Sequence, residues 1–220
     1  MSRHLQPLLS PFLQGPLLSL PNVLPLARRS GYCPLCGLSK WETFDHFAPK
    51  RFFPEFAVLP RNLVACCWKC NHLKGDHWEQ PPAVLNAYYD PWPRKRFLAA
   101  VVDFDPDTGA SVTFTVLNNI RSGRLARERL MRHLGRLKLL KRFGEAGAEA
   151  VDDYRISLAV HGHRTRAQRR RFLLQEAAGV ARKHGANHWR TVLLDALAKL
   201  LHFLTRYELV GPKTQPIVGL

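Results

Sequence analysis

The feature that most restricts this 220-residue chain is the placement of its five cysteines, at positions 33, 36, 66, 67 and 70 and nowhere else. Disulfide frameworks in small secreted domains spread their cysteines along the chain. Here the thiols fall into two Cys-x-x-Cys pairs, Cys33-Pro34-Leu35-Cys36 and Cys67-Trp68-Lys69-Cys70. A tight turn lets two thiolates at that spacing reach one ion, and two such knuckles complete a closed tetrahedral site. The spacing therefore predicts a structural zinc ion on Cys33, Cys36, Cys67 and Cys70. Cys66 belongs by register to the strand entering the second knuckle and is expected as a small buried hydrophobe. Taking it as the ligand instead would need a three-residue spacer. A zinc ribbon that only binds is the plain alternative, and the residues between the knuckles weigh against it.

Around the knuckles the sequence divides into three stretches. Residues 1–30 form a proline-interrupted N-terminal arm, 31–90 a core rich in cysteine and aromatic residues, and 91–220 a basic, mostly helical region. The arm is rich in leucine, but Pro7, Pro11, Pro16, Pro21 and Pro25 break every apolar run in it. A spanning helix needs about 20 apolar residues without such breaks, and a secretory signal needs one clean run. The arm is therefore expected to pack on the body or on a partner. No membrane contact is expected, and cytoplasm is the default compartment. With 46% hydrophobic residues a packed core is within reach. Phe97 to Phe104 and Val112 to Val116 read as strands about a turn at Asp105-Pro106-Asp107-Thr108-Gly109. Apolar residues then recur at helical spacing over 124–143, 148–158, 164–184 and 188–207. The fold class expected is α+β.

Charge narrows the partner. The net charge is +16, from 33 Lys+Arg against 17 Asp+Glu, with a pI near 10.3. A protein this basic usually meets a polyanion, because each phosphate contact releases condensed counterions. Residues 1–80 carry 9 basic and 5 acidic side chains, a net +4, whereas residues 81–220 carry 24 and 12, a net +12. Arg166, Arg169, Arg170 and Arg171 crowd the start of one expected helix, where the dipole prefers anions. A phosphate there would relieve the conflict, so these four are expected nucleic-acid contacts. Lys74 is a fifth. No helix-turn-helix pattern is present, so base readout is unassigned.

Between and after the knuckles the sequence reads Phe44-Asp45-His46-Phe47-Ala48-Pro49-Lys50, then Asn62-Leu63-Val64, then Cys70-Asn71-His72-Leu73-Lys74-Gly75-Asp76. An Asp-His pair closing a strand, an Asn-Leu pair further on and an Asn directly after the last knuckle cysteine resemble the HNH endonucleases, the ββα-metal family. The likeness covers roughly 50 residues of the chain. The stretch from Asp45 to Val64, with Tyr88-Tyr89-Asp90 beyond it, is similar to standalone bacterial HNH proteins, some of which stand beside phage-defence genes.

The resemblance implies a zinc-stapled ββα core followed by a β-hairpin and helices. It implies metal-dependent hydrolysis of DNA phosphodiester bonds, with RNA left open by charge alone. Neutral His46 would be the general base, and Asn62 would hold its ring by a side-chain hydrogen bond. Asp45 and Asn71 would hold one divalent cation, Mg²⁺ or Mn²⁺. Successive strand residues point to opposite faces, so Asp45 and His46 can serve one phosphate only across a bend. One such site cuts one strand at a time, and a double-strand cut would call for a homodimer or repositioning. Two other readings stand beside this one: a nuclease subunit silent until a protein partner activates it, and a non-catalytic zinc module that binds nucleic acid.

Overall fold

A computed structural model describes residues 31–80, 82–90, 93, 95–105, 109–118, 124–162, 165–200 and 203. The N-terminal arm, the tip of the expected turn and the end of the last expected helix lie outside the described residues. The chain is mixed α and β, with two antiparallel hairpins and several helices. It divides into two compact units, Met1–Pro93 with Ile120–Leu139, and Arg94–Asn119 with Leu140–Leu220.

In the first unit, strand β1 (Thr43–His46) pairs antiparallel with β2 (Leu63–Cys66), with Asp45 opposite Val64 and His46 opposite Leu63. All four β2 residues are buried. Helix α1 (Trp68–Lys74) follows at once, with Cys67 as its N-cap. The Glu42 carboxylate accepts from the Trp68 N–H at 3.1 Å, placing negative charge where the helix dipole favours it. Helix α2 (Arg124–Arg136) completes the unit. It was expected to run on to 143, but it ends before Leu137 and Lys138, where Lys138 takes a left-handed conformation with φ of 51°. Leu137 and Leu139 are both fully buried. Residues two apart lie about 200° apart around a helix, so an unbroken helix could not turn both inward. Leu125, an apolar residue within the stretch 124–143 read as helical, is exposed.

The second unit is built on a longer hairpin, β3 (Leu98–Asp105) and β4 (Gly109–Val116), joined in register from Leu98–Val116 to Asp105–Gly109. One face alternates inward through Val102, Phe104, Val112 and Phe114, the period-2 pattern of a sheet covered on one side. Helix α3 (Leu139–Val160) begins earlier and runs longer than expected. It crosses β4 at Gly144, where a Cβ would stand 2.5 Å from the Val112 carbonyl oxygen. Helix α4 (Arg166–His184) opens with a reciprocal capping box: Thr165 accepts from the Gln168 N–H while the Gln168 side chain accepts from the Thr165 N–H. Helix α5 (Trp189–Leu197) is buried along most of its length. The Asn187 side chain ties its approach to the hairpin, accepting from Phe97 N–H at 2.7 Å and donating to Lys95 C=O at 2.9 Å.

Candidate functional site

The two knuckles meet. The Sγ atoms of Cys33, Cys36, Cys67 and Cys70 lie within 4.8 Å of one another, all buried. Zinc–sulfur bonds of about 2.3 Å in a tetrahedron set neighbouring sulfurs about 3.8 Å apart. Cys36 and Cys67 stand at 3.9 Å. Four thiols at this spacing fit a structural zinc ion, and the group does not include Cys66, which is fully buried in β2. The first knuckle turns on Gly37, whose φ of 66° suits glycine. Its N–H bonds back to Cys33 C=O at 2.8 Å, and the Leu38 N–H reaches Cys36 Sγ at 3.4 Å. The second knuckle straddles the start of α1. Hydrogen bonds from neighbouring thiols pull Cys67 well down and Cys36 to about 7, while the same neighbours and burial push Cys33 and Cys70 up. A cluster in which some thiols give up protons readily is the chemistry a dication completes.

The segments between the knuckles assemble a second cluster. Strand β1 ends in Asp45 and His46, with α1 over the Asp45 side. Lys74, the last residue of α1, donates to Asp45 Oδ2 at 2.9 Å and to the His46 carbonyl at 2.7 Å. Burial pushes the Asp45 carboxyl up from its ordinary value, against the downward pull of the Lys74 ammonium and of His46. Asn71 lies one turn before Lys74, so the two share a helix face. It sits inside the helix rather than at its start, because Cys67 is the cap. Its side chain forms no hydrogen bond among the described residues. One carboxylate and one free amide on that side are hard oxygen donors of the kind Mg²⁺ or Mn²⁺ takes.

His46 closes β1 from the other side. Its Nε2 lies 2.9 Å from the Ala57 carbonyl. A carbonyl can only accept, so Nε2 carries the hydrogen and Nδ1 keeps its lone pair. Among the described residues nothing bonds that Nδ1. Asn62 does not reach the ring, contrary to expectation. It lies in the short 3₁₀ turn before β2 and clips the loop instead. Its Oδ1 accepts from Ala48 N–H at 2.7 Å, and its Nδ2 donates to the carbonyls of Ala48 and Phe56, both at 3.0 Å. The ring is therefore held indirectly, through a loop whose ends Asn62 fastens. The expected bend does not fall between Asp45 and His46: both lie in the regular β1 ladder, and the chain bends only after them, at Phe47 and Ala48.

The nucleic-acid contacts read from the sequence divide. Lys74 is only 7% exposed and is spent on Asp45 and the His46 carbonyl, because a buried carboxylate needs a counter-charge. Arg169 is 8% exposed. The capping box fixes the register of α4 so that Arg169, Leu173 and Ala177, four apart, all turn inward. Arg166, Arg170 and Arg171 are exposed and flank one open groove along that helix, in the second unit.

Several residues support the site in roles that the sequence did not reveal. His133 of α2 is fully buried. Its Nδ1 accepts from the Leu85 N–H at 3.0 Å and its Nε2 donates to the Leu35 carbonyl, inside the first knuckle, at 2.9 Å. Burial lowers its pKa to about 4. Arg136 donates to the Lys74 carbonyl at 2.7 Å, capping the end of α1. Arg129 grips Asp90 with both guanidinium nitrogens, and the Tyr88 hydroxyl donates to the Leu63 carbonyl at 2.7 Å. A lone histidine amid leucines carries no pattern, but a guanidinium spaced seven residues from another on α2 marks a face that needed partners.

No family model matches the chain, and no solved structure matches it. Among curated proteins it is similar to Protein ea31 of Escherichia phage lambda, 48% identical over 40 residues, which are 18% of this chain and 14% of the relative. It is also similar to Septu protein PtuB of Bacillus thuringiensis, 32% identical over 83 residues, which are 36% of this chain and 30% of the relative. The matched segments thus span less than a third of either relative.

Proposed function

We propose that the chain is a metal-dependent endonuclease of the HNH type, its ββα core made of β1, β2 and α1 and stapled by the four cysteines. The observation that carries this reading is the state of His46. Its Nε2–H is tied to the Ala57 carbonyl, which leaves Nδ1 as a free acceptor at the end of a strand. Such a nitrogen has the lone pair that a general base needs. Asn62 keeps the loop that supplies the Ala57 carbonyl in place, and so keeps the ring turned. Lys74 holds Asp45 against α1, on the same helix face as Asn71. Asp45 and Asn71 are the residues that would hold the divalent cation, whose chemistry is to stabilise charge on the phosphate and the departing oxygen. The substrate is DNA, with RNA as the alternative that the +16 charge equally accommodates.

The test is nicking of supercoiled plasmid with Mg²⁺ or Mn²⁺, comparing the natural chain with His46→Ala at matched zinc content. The variant is expected to lose about 10²–10⁴-fold in rate. Equal activity in the two would refute His46 as the base.

The similarity to Septu protein PtuB favours a second reading: a nuclease subunit of a phage-defence system that works with a protein partner. In that case the isolated chain binds DNA but cuts only when the partner is supplied.

A further inference from the structure

The loop from Phe47 to Asn62 leaves unusual surface in water. Phe52 is 51% exposed, Phe56 40%, Val58 68% and Leu59 46%. Single exposed apolar residues need no explanation, but several within one short loop mark a binding surface. The loop is not loosely built. Phe53 lies beneath it, edge-on to Trp78 at 4.9 Å and stacked under Phe56 at 5.8 Å. Phe56 thus rests on Phe53 and keeps part of its surface in water. Its carbonyl is held by Asn62, and the carbonyl of the next residue, Ala57, is held by His46. The exposed ring is therefore fastened to the same two side chains that form the catalytic strand end.

The surroundings are basic. Lys50, Arg51 and Arg61 are exposed on this loop, against the single acidic residue Glu55. The Arg51 guanidinium sits over the Phe52 ring at 5.7 Å. Flat, half-exposed rings with cations around them suit unpaired bases with their phosphates: stacking holds the base and the cations hold the backbone. The cations match a phosphate backbone better than an apolar protein partner, and intact duplex hides the base faces that the rings would meet. We infer that the Phe52–Phe56 surface is a single-strand subsite, which takes unpaired bases of the nucleic acid presented to His46. The inference rests on the nuclease reading for the substrate's identity but is measured by binding alone.

The experiment is fluorescence anisotropy of a labelled 20-nucleotide single strand and of its duplex, with the full zinc-loaded chain and no added divalent cation. The chains compared are the natural one, Phe52→Ala with Phe56→Ala, and Phe52→Leu with Phe56→Leu. Both double variants are checked for zinc content and for an unchanged melt. If bases stack here, both weaken single-strand binding about tenfold to a hundredfold and change duplex binding less than about twofold. Unchanged single-strand binding overturns the inference. So does equal weakening of strand and duplex, or full retention by the leucine variant, which keeps apolar surface without a stacking face. Plasmid nicking separates this from the nuclease reading. A chain that shows the ring dependence but does not nick by itself keeps the subsite and loses the self-sufficient enzyme, and nicking without ring dependence does the opposite.

Discussion

Acid should destabilise the first unit through His133, and the size of the effect follows from its surroundings. The ring is fully buried between Leu85 N–H and Leu35 C=O, and burial lowers its pKa from 6.5 to about 4. Between these values the unfolded chain holds a proton that the folded one does not. Stability therefore rises with pH across this window and falls as acid is added, the full contribution being present above about 6.5. At 1.36 kcal/mol per pH unit the whole window is worth about 3 kcal/mol, and most of it is lost from pH 7 to 4.5. His133→Gln keeps a donor toward Leu35, gives no acceptor to Leu85 and does not titrate. It should cost about 1–3 kcal/mol at pH 7. Denaturant unfolding at matched zinc, from pH 7 to 4.5, gives the difference between the two chains. Acid effects common to both, protonation of cysteine included, cancel in that difference. The gap should close or reverse as pH falls. Parallel curves, or a ring titration by NMR with a midpoint near 6.5 in the folded protein, would refute the reasoning.

Other expected outcomes follow from the same geometry. Chelating the zinc should abolish the cooperative melt of the first unit, since a structural zinc supplies about 10–16 kcal/mol of apparent binding energy. A sample that melts as before without its metal contradicts this. Lys74→Met strands the buried Asp45 and should cost about 3–5 kcal/mol. The cost should be smaller at pH 5 than at pH 8, because Asp45 can then take up a proton, and equal unfolding midpoints for the variant and natural chains would count against the pair. Gly144→Ala should cost about 1–3 kcal/mol from its clash with the Val112 carbonyl. Gly135→Ala, with open space around it, should be neutral or stabilising by calorimetry.

The knuckles were legible in the sequence because cysteine spacing acts locally: two residues between thiols suffice to make a turn, and Gly37 continues it. The order Asp45, His46, Asn62, Asn71 was legible as a pattern, and the structure brings the four onto one hairpin and the helix after it. What Asn62 holds was not legible, since an amide's partners depend on how the loop closes, and this loop brings the Ala48 and Phe56 backbone to it first. The fates of Lys74 and Arg169 were hidden for a related reason. Charge in a sequence looks solvated until a buried Asp45, or a helix register set by Thr165 and Gln168, shows otherwise. The break at Lys138 left no mark, because the leucine spacing continues through it.

The bond from His133 to the first knuckle also sets an order of events during synthesis. The Leu35 carbonyl receives its partner 98 residues later in the chain. At 5–20 residues per second that is a wait of about 5–20 s on the ribosome. Both cysteine pairs emerge before it ends, and so does the β3–β4 hairpin of the other unit. Capture of an ion by the four thiols can therefore precede the arrival of α2, so the nascent knuckle has a route to closure that does not wait for the rest of its fold.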